Sequence, residues 1–217
     1  IVKKILHISK YYHPFVGGIE QVASDCVNAL NEYEQRVICF NHQKGNTTDI
    51  VDGVEVTRVN CQAKISSQSI AVSYGKQLRK ILKEFKPDIV IFHYPNPFVG
   101  HFLIRHLRHK SFKFILYWHL DITKQKILGK FFASQNKKLL KYADKIVATS
   151  PNYIEGSPWL SQYKGKCSVV PCCVNEARLE TNDYVLEKVQ EIRRIYDGKY
   201  ICFAFGRHVE YKGLTYL

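Results

Sequence analysis

The chain has 217 residues, 46% apolar and 24% charged, with a formal net charge of +13 at pH 7. That length holds one large domain, or one domain and part of another, and the apolar share is ordinary for a protein with a buried core. No run approaches the ~20 apolar residues of a membrane-spanning helix, and Lys3-Lys4 lead into a strand pattern and not a secretory leader, which predicts a soluble, cytoplasmic protein.

Taken in order, Lys4 to Ile8 predicts a first strand and Tyr11 to Gly18 a loop. Ile19 to Asn31 carries Val22, Cys26, Val27 and Leu30 at helical spacing. Arg36 to Phe40 is a second strand. After a turn at Asp52-Gly53, residues 53–60 predict another, with Val54 and Val56 inward and Thr57-Arg58 as an outward edge. The serine-rich segment 66–69 leads into a basic amphipathic helix through Phe85. Ile70, Tyr74, Leu78, Ile81, Leu82 and Phe85 mark its apolar face, and Pro87 stops it.

Ile89 to Phe92 then predicts a buried strand, 98–109 a helix, Lys113 to Trp118 a strand, Ile122 to Tyr142 a helix and Lys145 to Thr149 a strand. A shorter strand is expected at Ser168 to Val170. Strands alternating with helices of this length predict an α/β fold, a Rossmann-like doubly wound, mostly parallel sheet covered on both faces. Residues 1–170 form this domain and 171–183 a linker. Residues 184–217 open a second α/β unit, with a helix at Tyr184 to Tyr196 and a strand at Tyr200 to Phe205. The start at Ile1 and the absence of methionine read as a chain that differs from the native translation product, either trimmed or lacking its methionines, and the second unit reads as cut off just as it begins.

The seven cysteines contain no CxxC pair, and vicinal Cys172-Cys173 has no second pair to complete a metal site, so reduced thiols and no metal are expected. From His101 to Lys145, eleven Lys and Arg stand against Asp121 and Asp144. Such a field attracts nucleic acid, anionic lipid headgroups or phosphorylated small molecules, while a solvated helix surface accounts for it equally well. No RNA- or DNA-binding motif accompanies the charge, so no nucleic acid partner is expected.

Three groups could carry chemistry. Gly17-Gly18 lies between the first strand and helix, where glycines admit a phosphate to free N–H groups. It is not a GxGxxG fingerprint, which counts against a nicotinamide or flavin enzyme. His119, with Asp121 two residues on, follows one strand, and His93 ends the strand before it. In open α/β sheets such carboxyl ends bind ligands, although a lone histidine there also serves structure alone. Arg207 and Lys212 flank the junction between the last predicted strand and its helix, a suitable place for a diphosphate.

Together these residues resemble the retaining glycosyltransferase family 4. Lys4-Ile5-Leu6-His7-Ile8 with Tyr12-His13-Pro14 and Gly17-Gly18-Ile19-Glu20 is similar to the family's opening. Gly206-Arg207 through Lys212-Gly213 is similar to its GR-x4-KG segment, and Val169-Val170-Pro171-Cys172-Cys173-Val174-Asn175 to its V-I-P-N-G-V-D element, with cysteines and Asn175 as departures. His119-Leu120-Asp121-Ile122 and His93-Tyr94-Pro95-Asn96-Pro97 resemble segments of its mannosyltransferases.

The resemblance implies two facing Rossmann-like domains (the GT-B fold) and retaining transfer of a hexose from a nucleotide sugar, GDP-mannose first or a UDP-hexose, to a saccharide or lipid-linked acceptor. It implies that Gly17 and Gly18 leave room for the donor phosphates and that His119 contacts the donor sugar. Arg207 and Lys212 would hold the diphosphate and stabilise its departing charge; His93 and Asp121 take secondary or acceptor roles. No cofactor or metal is implied. The basic stretch would dock the domain on the anionic inner membrane face. The family's Glu-x7-Glu motif does not occur before Leu217, so the chain alone is expected to be inactive. A non-catalytic nucleotide-binding module on the same fold is the alternative.

Overall fold

The computed structural model describes residues 2–65, 68–122, 129–173, 176–204, 213 and 216. The chain divides into two compact units, Ile1–Cys173 and Val174–Leu217.

The first unit contains strands β1 (Lys4–Ile8), β2 (Glu34–Phe40), β3 (Thr47–Val51), β4 (Val54–Val59), β5 (Ala63–Ile65), β6 (Gln68–Ile70), β7 (Ile89–Tyr94), β8 (Lys113–Trp118), β9 (Lys145–Ala148) and β10 (Cys167–Val169). Its helices are α1 (Gly18–Ala29), α2 (Tyr74–Phe85), α3 (Pro97–Leu107), α4 (Gly129–Tyr142) and α5 (Pro151–Gly156). Eight strands form one sheet in the order β10-β9-β8-β7-β1-β2-β4-β3, and β5 pairs with β6 in a separate hairpin. Every pairing in the large sheet is parallel except that of β3 with β4. β1 therefore lies between β2 and β7, where the chain reverses its direction of travel across the sheet.

Parallel strands joined by helical crossovers are covered on both faces, which is why β1, β7 and β8 are apolar at successive positions. Leu6, Ile8, Phe92, Leu116 and Trp118 join the cluster filled by Tyr74 and Leu78 of α2, Leu103 of α3 and Leu139 of α4. The alternate residues Ile5, Ile91 and Tyr117 meet Val22 and Cys26 of α1 and Leu30, the residue that caps its carboxyl end. Tyr94 stacks on Trp118 with ring centroids 3.9 Å apart, closing the first of these layers at the carboxyl end of the sheet.

Several boundaries differ from the sequence expectation. Ile70 does not begin the α2 helix; it pairs with Ala63 across the β5–β6 hairpin, and the helix starts at Tyr74. β7 runs two residues past Phe92, because His93 and Tyr94 find partners in Tyr117 and Trp118 of β8. Arg58 is no outward edge residue: on the same strand parity as Val54 and Val56, it is only 4% exposed. The helix expected from Ile122 is seen from Gly129, and 123–128 lie outside the described residues.

The second unit contains a 3-10 turn, Glu176–Leu179, and helix α6 (Asp183–Ile195). Asn182 caps α6 by accepting a hydrogen bond from the N–H of Val185. The expected strand at Tyr200 to Phe205 is not formed over residues 201–204, which belong to no ladder; Phe205 is outside the described residues. An extended segment becomes a strand only when a neighbour takes up its N–H and C=O groups.

Candidate functional site

The strand order reverses between β1 and β7, and the carboxyl edge of the sheet beside such a reversal is the usual ligand position in open α/β folds. The loop after β1 leads to Gly17, the amino-terminal cap of α1, and Gly18, its first residue. Gly17 is extended, with φ −165°. A Cβ on Gly17 would lie 2.2 Å from Oε2 of Glu20, whose nearly buried carboxylate folds back over the cap. Gly18 is different: a Cβ there meets nothing within 4 Å. Gly17 thus serves the packing of the loop, and Gly18 leaves open space beside the helix N-terminus.

Arg58, reaching from β4, shapes that loop. Its Nε donates to Asp49 at 2.7 Å and its Nη1 to the carbonyl of Tyr12 at 3.3 Å, while Nη2 donates to the carbonyl of His13. The sequence signal for this role was the period-2 parity Val54, Val56, Arg58.

Two strands from β1, the chain leaves β8 at His119. The backbone N–H of His119 donates to the carbonyl of Tyr94 at 3.1 Å, fixing the residue at the end of β7. His119 is half-buried, and its Nε2 lies 3.2 Å from Nδ1 of fully buried His93. Behind them runs a row of stacked rings. His93 stacks on His7 (5.9 Å between centroids), on Tyr117 (5.5 Å) and on His119 (5.4 Å), and Tyr117 stacks on His119 (4.3 Å). His7 Nε2 in turn lies 2.9 Å from Oε1 of Gln35 on β2.

Burial holds all three imidazoles neutral near pH 7. It lowers His7 to about 4, outweighing the opposing hydrogen bond of Gln35, and His119 to about 4. His93 falls well below its usual value through burial and the neighbouring His119 and His7. What faces a ligand is therefore an uncharged ring, able to hydrogen-bond but not to act as a cation.

Asp121 does not turn to His119. Its Oδ1 accepts from the indole N–H of Trp118 at 2.8 Å and from the hydroxyl of Ser157 at 3.1 Å, bracing the loop after β8. His93, expected to end its strand, lies inside β7 and is an interior residue beneath His119. Arg207 and Lys212 lie outside the described residues. Among the described residues no three His, Cys, Asp or Glu side chains are grouped to hold a metal ion. His7, Gln35 and Tyr117 join the site only through sheet pairing, which places alternate residues of β1, β7 and β8 on one face.

Across the sheet from α1, a groove of about 450 Å³ runs between α3 and α4, lined by His101, Ile104, Arg105, Arg108 and Lys138 among others. A smaller one between α2 and α3 is lined by Lys76, Arg79, Phe102 and Arg105. Among the described residues no acidic side chain lines either groove. Among the described residues no helix is long and apolar enough to cross a membrane.

The family model described as Glycosyltransferase Family 4 matches residues 16–178. D-rhamnosyltransferase WbpZ of Pseudomonas aeruginosa is 29% identical over 170 residues, covering 77% of this chain and 44% of its own. O-antigen chain mannosyltransferase C of Escherichia coli is 28% identical over 220 residues, covering 99% of this chain and 56% of its own. The chain spans about half the length of these curated relatives. Among solved structures, a sucrose-phosphate synthase from Thermosynechococcus elongatus superposes with a TM-score of 0.57 at 13% identity, covering 89% of this chain and 99% of the other. Anabaena HepE in complex with UDP gives 0.55 at 13% identity, covering 88% and 50%. These two likenesses bear on the fold, which is Rossmann-like α/β of the GT-B type.

Proposed function

The chain belongs to glycosyltransferase family 4, and from that membership we propose that it forms the acceptor-side domain and the start of the donor-side domain of a retaining hexosyltransferase. The donor is a nucleotide sugar, GDP-mannose before a UDP-hexose, and the acceptor a saccharide or lipid-linked saccharide of a surface polysaccharide. The kinship with an O-antigen mannosyltransferase and a D-rhamnosyltransferase supports this choice.

One observation carries the reading. His119 stands half-exposed at the carboxyl edge of the sheet, on a neutral stack that leaves it a hydrogen-bonding group for a sugar. Gly18 leaves room for the donor phosphates, and Arg207 and Lys212 complete the diphosphate site and stabilise the leaving charge. The chemistry asks for no metal or cofactor. Asp121 acts by bracing Trp118.

The test is a donor screen with GDP-mannose, UDP-glucose, UDP-galactose and UDP-N-acetylglucosamine over a membrane-lipid extract, run on this chain and on a longer protein containing it. Transfer by the longer protein, abolished by His119→Ala and Lys212→Ala and absent from the 217 residues alone, is the expected result. No turnover with any donor, with nucleotide binding retained, would favour a non-catalytic nucleotide-binding module.

The cationic grooves of α2, α3 and α4 favour a peripheral site on an anionic membrane surface in the cytoplasm. Each Lys or Arg near such a surface contributes about 1 kcal/mol. Sedimentation with anionic vesicles, reversed by salt, is expected; equal binding to neutral vesicles would refute it.

A further inference from the structure

We propose that His93 is a positioning residue that fixes the tautomer of His119, so that Nδ1–H of His119 is the donor presented to the sugar. The inference rests on the assignment of His119 to the sugar site and adds which of its nitrogens acts, and as what.

The proton inventory starts at Gln35. Its amide nitrogen donates to the carbonyls of Val27 at 2.9 Å and Leu30 at 2.8 Å, both at the end of α1. The amide oxygen is thereby turned to His7 and can only accept, so His7 carries its proton on Nε2. This anchors the far end of the ring row to the helix.

His93 and His119 then share one contact, Nδ1 to Nε2 at 3.2 Å, and one of the two must donate. Nε2 of His93 is buried with no hydrogen-bond partner. A buried N–H without an acceptor is rarer than an underused lone pair, and a neutral imidazole carries a single proton. The proton of His93 therefore resides on Nδ1, and Nδ1–H donates to Nε2 of His119.

Nε2 of His119 is consumed as an acceptor, which leaves its own proton on Nδ1. Tyr117 is 4% exposed and His7 and His93 fully buried, so His119 alone of the row is open to a ligand. A fixed neutral donor recognises the lone pair of a hydroxyl or ring oxygen, and its direction is set by rings packed behind it.

Long-range proton–nitrogen NMR on this chain, labelled at histidine nitrogens, tests the assignment directly. The expected spectrum shows His119 with a protonated Nδ1 and bare Nε2, and His7 with a protonated Nε2. His93→Asn, whose side-chain amide can replace the Nδ1 donor, keeps the His119 tautomer, whereas His93→Asp, which presents an acceptor in the same place, puts the proton on Nε2. A wild-type His119 protonated on Nε2 would overturn the proposal without any variant needing to fold. A bare Nε2 in a folded His93→Asp would do the same.

In a longer, sugar-transferring protein, His93→Leu should lower kcat about tenfold with KM little changed, and His93→Asn should restore most of it. Were His119→Ala to leave transfer intact while the nitrogen spectra stood, the positioning would hold and the assignment of His119 to the sugar would be what failed.

Discussion

Replacing Arg58 by Met keeps the apolar stem and removes the guanidinium, and the structure allows the cost to be apportioned. The ion pair with Asp49 contributes little, because that carboxylate is 46% exposed and rehydrates; exposed pairs are worth about 0–1 kcal/mol. The carbonyl of Tyr12 retains the N–H of Phe15 at 3.1 Å, and exposed His13 turns its carbonyl to water. What remains is the loss of charge-assisted hydrogen bonds made inside the protein, each worth about 1.5–3 kcal/mol, reduced by that compensation. The net expectation is about 2–3 kcal/mol. Urea unfolding should show it as a lower midpoint at unchanged slope. Lys at this position, one charge serving three partners, should recover less than half, and Asp49→Asn should cost under about 1 kcal/mol. An Arg58→Met protein within 0.5 kcal/mol of wild type would refute the assignment of Arg58 as the brace of the Gly17 loop.

Three further outcomes follow. Unfolded histidine takes up a proton below pH ~6.5, while native His7 resists until about 4, so stability should fall as pH drops through that window. The part due to His7 amounts to about 3 kcal/mol at the acid end, and His7→Gln should flatten the pH dependence of the urea midpoint. Gly18→Ala should stabilise α1 by up to about 1 kcal/mol yet weaken donor binding, whereas Gly17→Ala should displace Glu20 and lower the thermal midpoint. Asp121→Ala should cost about 2 kcal/mol and shift the emission of Trp118, whose indole loses its acceptor, while Asp121→Asn preserves most of both.

The presence of β1, β2, β4, β7, β8 and β9 was legible because each is a short run rich in apolar residues. β3 was not: Thr47-Thr48-Asp49 is a polar edge segment whose strand character comes from pairing with β4. His119 and Gly17-Gly18 were legible from their places after strands. The depth of His93 was not, since its burial depends on Tyr117 lying opposite it in the ladder and on His7 stacking beyond. The partners of Asp121 were hidden for a similar reason: Ser157 stands 36 residues beyond it in the chain, and nothing local announces that the two meet. Helix α2 was placed too early because Ile70 continues the helical apolar face while actually serving a hairpin.

The large sheet ends on one side in β10, three residues long, and on the other in β3, which runs against its neighbour and exposes Thr47, Thr48 and Asp49. Either margin is a poor template for another chain: one is too short to add a strand, and the other carries a charge where a foreign strand would lie. The margins thus give the domain its own protection against sheet-to-sheet aggregation. Substituting Asp49 by Val, which extends the apolar pair Ile50-Val51 along that margin, is expected to make the domain more prone to aggregate, readable as turbidity on heating.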